Sequence, residues 1–174
     1  MPELQVFEAL HSLAGRSGFL DFLIVFAGSY LPYILFIAAI WFVIRQKDWH
    51  LRFYSSAVLA LAALVSRGIL TETIRYFFFR PRPFAAMNFE PLINHAANAS
   101  LPSGHAALYF ALAFAIFLLN KKWGAWFTVF TAVAGLARVM AGAHWPLDIV
   151  AGALTGLIAF FVVKWLLPRS LINR

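Results

Sequence analysis

Three short stretches of this chain hold residues whose types and spacing could do chemistry: Arg75 through Arg82-Pro83, Pro102-Ser103-Gly104-His105, and Arg138 followed by His144 and Asp148. Together they offer arginines, two histidines, a serine and a carboxylate, with no cysteine cluster or carboxylate pair suited to holding a metal. Guanidinium groups bind a multiply charged phosphate through forked hydrogen bonds. One imidazole can attack phosphorus and another can protonate a leaving oxygen. The chemistry suggested is phosphoryl handling by nitrogen groups alone.

Each stretch also has a plainer reading. Arg75, Arg80 and Arg82 at the end of an apolar segment are costly unless they meet water or anions, but snorkelling to lipid headgroups would also satisfy them. Glu72 stands one helical turn before Arg75 and can orient it. Pro81 and Pro83 stiffen the exit and would present Arg82 at a defined angle. In the second stretch, Ser100 can cap a helix, Pro102 suits its first turn and Gly104 lets an anion approach the backbone. Free amides at such a helix start cradle phosphate, with His105 in the first turn facing it; a capped helix with an incidental histidine fits the tetrapeptide equally. In the third, Pro146 marks a helix start, so His144 just precedes the helix and Asp148 sits in its first turn. Asp148 can then accept a hydrogen bond from one ring nitrogen of His144, which fixes the tautomer and frees the other nitrogen's lone pair. A carboxylate stabilising the helix dipole explains Asp148 as well, but not a histidine at the same face as five arginines.

The elements that must position these residues are membrane helices. Of 174 residues, 63% are hydrophobic and 12% charged, and the mean hydropathy is +0.80. A soluble domain is about 45–50% apolar and about 25% charged. The expected fold is all-α, an integral membrane helical bundle in one domain over 1–174. Five segments are apolar enough to cross, roughly 19–44, 53–79, 105–119, 123–140 and 147–167, with Pro32 kinking the first. Phe7, Leu10 and Leu13-Ala14 fall at helical spacing in an N-terminal stretch that lacks a basic leader, which predicts an interfacial helix. The net charge of +7 sits in short loops rather than along one solvated face, so membrane topology and an anionic headgroup explain it and nucleic acid does not. Cysteine is absent, excluding thiolate catalysis. Arg45, Lys47, Arg52, Lys121, Lys122, Lys164, Arg169 and Arg174 fall on one side of the alternating spans. That side should be cytoplasmic, with the three stretches facing outward.

The joint order of the stretches resembles the type 2 phosphatidic acid phosphatase superfamily. Its pattern is Lys, six residues, Arg-Pro; Pro-Ser-Gly-His; then Ser-Arg, five residues, His, three residues, Asp. This chain matches with Arg75 and Arg82-Pro83, with Pro102-Ser103-Gly104-His105, and with Ala137-Arg138, His144 and Asp148. Arg75 replaces the usual lysine and keeps its charge; Ala137 replaces the usual serine and loses a hydroxyl. The length, the Arg-Pro-Phe ending of the first motif and the run HAANASLPSGH are similar to the bacterial undecaprenyl-diphosphatase branch. The resemblance implies a cofactor-free lipid phosphatase of the cytoplasmic membrane, with lipid phosphate and membrane lipids as its partners and no obligate protein partner. It implies His144 as nucleophile, Asp148 as its orienter and His105 as general acid and base. It further implies phosphate binding by Arg75, Arg82, Arg138, Ser103 and Gly104. A phosphatidylglycerophosphate or phosphatidate phosphatase, a lipid phosphotransferase and a non-catalytic phospholipid binder share much of this pattern. Outside the motifs, His95 is expected to pack in the loop around the site, and Arg67 to find an intramembrane partner such as Glu72.

Overall fold

The structure, a computed structural model, describes residues 2–168. Among them are seven helices: α1 (Pro2–His11), α2 (Gly18–Ile44), α3 (Trp49–Phe77), α4 (Pro83–Met87), α5 (Gly104–Phe117), α6 (Lys121–Met140) and α7 (Pro146–Leu166). The all-α membrane bundle is as expected. Four helices are long and apolar enough to cross a bilayer, and α5 is a shorter apolar helix of 14 residues.

Side-chain caps set several boundaries. Asp48 accepts from the Leu51 amide at 3.0 Å, which starts α3 at Trp49, four residues before the apolar pattern begins. Asn120 caps α6 and Ser17 caps α2 in the same manner. The start of α5 departs from expectation. Its cap is Ser103, whose hydroxyl accepts from the Ala106 amide, and Pro102 lies ahead of the helix rather than in its first turn. Ser100 does not cap because its hydroxyl is donated to Asp148 instead.

Two of the long helices are interrupted by π-helical turns, Phe26–Tyr30 in α2 and Leu64–Leu70 in α3. Pro32 follows the first closely, so the expected kink is taken up there by a widened turn. In the second, the Thr71 hydroxyl donates to the Ser66 carbonyl at 2.7 Å and satisfies a group that the wider turn loosens.

Helix α5 runs through the middle of the bundle, and its Ala107, Ala111, Leu112, Ala113 and Ile116 are almost wholly buried. On one side it packs with Leu35 and Phe127, on the other Ala111 and Ala115 meet Val58, Phe160 and Val163. Helix α7 approaches it closely enough that a Cβ at Gly156 would lie 2.5 Å from the Ala107 carbonyl oxygen, and one at Gly152 2.6 Å from that of Ser103. Small residues are what allow two membrane helices to come so near. The outward surface carries Ile37, Trp41, Phe53, Phe77, Phe78, Phe79 and Trp165, all well exposed, as befits side chains that meet lipid.

The N-terminal helix is seated on protein. Phe7 is fully buried, its ring 4.9 Å from that of Trp145 and 5.3 Å from that of His11. His11 Nδ1 lies 2.8 Å from the Met140 carbonyl oxygen. The helix ends at His11, so Leu13 and Ala14, expected to continue its apolar face, lie in the following turn, where Gly15 takes φ +77°. This docking puts α1 at the same end of the bundle as the starts of α5 and α7.

Candidate active site

His144 occupies the short connection between α6 and α7 and is only 1% exposed. Its Nδ1 lies 3.3 Å from Asp148 Oδ2, and its Nε2 faces Arg82 Nη1 at 3.0 Å and Ser103 Oγ at 3.4 Å. The start of α7 at Pro146 creates this pairing, since it places Asp148 one turn inside the helix beneath the preceding loop. Burial holds the imidazole down to about pKa 4 despite the opposing pull of the Asp148 hydrogen bond. At neutral pH it is therefore uncharged, with a lone pair available on one nitrogen.

Asp148 is 0% exposed, and both of its oxygens are engaged. Oδ2 accepts from the Trp145 amide at 2.8 Å and from the Ser100 hydroxyl as well as facing His144. Oδ1 accepts from Arg80 Nη1 at 3.2 Å. The two readings of this carboxylate are not rivals: one side chain closes the helix start and faces the histidine.

Arg82 is 1% exposed at the N-terminal boundary of α4. Its Nη1 also donates to the Ala143 carbonyl at 2.9 Å, and Nε and Nη2 reach Asn98 Oδ1 at 3.1 and 2.9 Å. Burial, and then the neighbouring Arg75, lower its pKa to about 10, so it remains a cation at neutral pH. Arg75 Nη2 donates to the Pro102 carbonyl at 3.1 Å, its Nη1 lies 3.4 Å from Glu72 Oε1, and its Nε is buried with no partner. Arg138, 5% exposed, has no hydrogen-bond partner for Nε or Nη1.

Arg138 and His105 line a cavity of ≈ 380 Å³ together with His95, Tyr109, Tyr33 and Ser29. His105 is stacked against Tyr109, ring centres 6.4 Å apart. His95 stands between the cavity and the buried pair, its ring 5.9 Å from that of His144. Burial, then the charge of Arg82, lowers His95 to about pKa 4. Gly104 is covered by Arg67, whose Nε would lie 2.6 Å from a Cβ there. Arg67 itself pairs with Glu72, as its place in the span requires.

The structure thus draws His144, Asp148, Arg82 and Ser103 into one hydrogen-bonded group. It sets His105 and Arg138 on the adjoining cavity, with Arg75 and Gly104 at the margin. Sequence reasoning gave no role at the site to Arg80, Asn98 or Glu3. The only signal for Arg80 was its place among the arginines of the first stretch, and Ser100 was assigned to the wrong partner.

Fold and site define a multi-pass membrane protein whose buried cationic groups converge around His144 and Asp148 at one end of the bundle. The chain belongs to the PAP2 superfamily, whose model matches residues 56–171. It is 32% identical to undecaprenyl-diphosphatase BcrC of Bacillus subtilis over 91% of this chain and 80% of that protein. The crystal structure of Aquifex aeolicus LpxE is similar with a TM-score of 0.77 and 27% identity, covering 95% of this chain and 96% of the other. A PAP2-type phosphatidylglycerolphosphate phosphatase from Bacillus subtilis shares the fold, with a TM-score of 0.64 at 22% identity over 94% and 85% of the two chains. The protein is accordingly a PAP2-type membrane phosphatase, and membership of the family implies lipid phosphates as its substrates.

Proposed function

We propose that this protein removes the terminal phosphate of undecaprenyl diphosphate through a phosphohistidine on His144. The observation that carries this reading is Arg138. A guanidinium so deeply buried, with two nitrogens lacking acceptors, is costly by itself and becomes favourable when an anion fills the neighbouring cavity. The name of the Bacillus subtilis relative supports the particular lipid.

In the proposed reaction the terminal phosphoryl group enters the cavity and meets Arg75, Arg82 and Arg138, with the Ser103 hydroxyl and the Gly104 amide beside it. The Ser103 amide is already donated to the Asp148 carbonyl. Arg82 turns its Nη1 from His144 to a phosphate oxygen, which frees Nε2. That lone pair attacks phosphorus while Asp148 accepts from Nδ1–H. The bond from phosphorus to the bridging oxygen breaks, and the leaving lipid monophosphate takes a proton from His105. Water then gives a proton to His105 and attacks the phosphohistidine, releasing inorganic phosphate and restoring His144. Fixed positive charge aimed at the equatorial oxygens supplies most of the acceleration. No metal takes part in these steps. The active end faces outward from the cytoplasmic membrane, as the Lys and Arg distribution favours.

A phosphate-release panel tests the reading: purified protein in detergent, excess EDTA, and undecaprenyl diphosphate, phosphatidylglycerophosphate or phosphatidate. Undecaprenyl diphosphate should be hydrolysed fastest, and His144→Gln should abolish release. Turnover of the monoester lipids alone would move the substrate to that class. Binding without turnover of any lipid would leave an anion-binding membrane protein.

A further inference from the structure

Asp148 needs a counter-charge that its histidine does not provide. It has no exposure, and at neutral pH His144 is uncharged. A buried carboxylate without a cation is strongly disfavoured. The cation in salt-bridge contact with it is Arg80, at 3.2 Å from Oδ1, the oxygen turned away from His144. Arg80 in turn is held from outside the bundle. Its Nη2 donates to Glu3 Oε2 at 2.7 Å, and the other oxygen of Glu3 accepts from the Leu147 amide at 3.1 Å. The guanidinium also lies over the Trp145 ring, 5.2 Å from its centre. Trp145 meets the buried Phe7 of α1 on one side, and its Nε1 donates to the Pro81 carbonyl at 2.9 Å.

From this continuous set of contacts we infer that Arg80, anchored by Glu3 of the docked helix α1, is a positioning residue for the His144–Asp148 pair. Arg80 keeps Oδ1 occupied by a cation, which leaves Oδ2 facing Nδ1 of His144. The N-terminal helix is then part of the catalytic apparatus without touching substrate. This inference rests on the proposed role of His144 as nucleophile. Groups that orient a catalytic ligand from behind typically matter by about 10–100-fold.

The test uses the full-length protein in detergent and separates kcat from KM on undecaprenyl diphosphate. Arg80→Gln should lower kcat by about 30-fold with KM within about twofold, because a group that acts through Asp148 does not bind the lipid. Arg80→Lys, which restores a cation at reduced reach, should recover about a third or more of the wild-type kcat. Glu3→Gln should cost about three- to tenfold, and combining it with Arg80→Gln should add little, since the two act as one unit. Phosphohistidine formation in rapid quench should slow in step with kcat.

Unchanged kcat in Arg80→Gln, a loss expressed in KM alone, or losses that multiply in the double variant would each overturn the inference. Should Arg80→Gln fail to fold, Arg80→Lys and Glu3→Gln carry the test by the same kcat criterion, and full activity in Glu3→Gln would remove the anchor. A wild-type protein that is inactive, or a His144→Gln variant that is fully active, would instead reject the proposed function itself.

Discussion

Arg138 is expected to cost stability unless an anion pairs with it. Two of its buried nitrogens lack acceptors, and desolvating an unpaired charge outweighs anything its aliphatic stem contributes. Arg138→Met should therefore raise the melting temperature in detergent by about 2–4 °C per kcal/mol relieved, while phosphatase activity disappears. Vanadate should raise the melting temperature of the wild type but not of that variant; a stabilisation by vanadate that survives the substitution would place the anion elsewhere. The histidines make a separate prediction about acid. His144 and His95 are held at about pKa 4 against an ordinary 6.5. Between those values the unfolded chain takes up protons that the folded one does not. Stability is thus fully present above 6.5 and declines as pH falls from there toward 4. Melting temperatures measured down through this range should fall, and His95→Gln should flatten part of the slope; a level profile would contradict the depressed values. At this scale the spacing of His144, Pro146 and Asp148 was readable because the contact is local, four residues along one helix start. Ser100 and Arg80 reach the same carboxylate across 48 and 68 residues. No local pattern announces such contacts; only the folding back of the loop over the start of α7 creates them.

Among the elements, the contact between α5 and α7 controls whether the two halves of the site meet. Ser103 rides on the start of α5 and Asp148 on the start of α7, joined by a hydrogen bond from the Ser103 amide to the Asp148 carbonyl at 2.9 Å. A methyl group at Gly152 would press on the Ser103 carbonyl oxygen and on Ala106 Cβ, both at 2.6 Å. Backbone cannot give way as a flexible side chain can. Gly152→Ala should lower activity by about tenfold or more and reduce the melting temperature, as overpacking costs about 1–3 kcal/mol. A variant with wild-type kcat would show that the helices tolerate separation. The five apolar runs were readable from composition, but α5 has only 14 residues, so four helices among the described residues are long enough to cross rather than five. The π turns were not readable, because the one extra residue that each widened turn takes up leaves no mark on composition or hydrophobic spacing. Nor was the true start of α5, where several residues compete for the cap and burial of Asp148 decides which hydroxyl it takes.

For the whole molecule, the charge distribution makes a testable prediction of orientation. Arg45, Lys47, Arg52, Lys121, Lys122 and Lys164 lie toward the end opposite the site, where Arg45 and Arg52 stack over Trp41 and Trp49 at 4.7 and 4.6 Å. Arg169 and Arg174, counted with them from the sequence, lie outside the described residues. The chain lacks cysteine, so single cysteines report cleanly. Glu90→Cys should react with an impermeant maleimide in intact spheroplasts, and Lys122→Cys only after lysis. The reverse would put the site in the cytoplasm and exclude a lipid presented on the outer leaflet.

The brevity of α5 sets a depth. Fourteen residues span about 21 Å, against about 30 Å of hydrocarbon. If its far end is level with the belt of Trp123, Lys121 and Lys122, its near end stops about 9 Å short of the outer boundary. Ser103 and His105 then lie below the headgroup plane rather than above it. A membrane-anchored substrate can arrive sideways with its chain still among other chains, and need not be lifted toward the aqueous side. What has to make the vertical journey is the second reactant, water, and after it the departing phosphate. Small water-soluble phosphoesters should accordingly be poor substrates even when their phosphorus chemistry is easier.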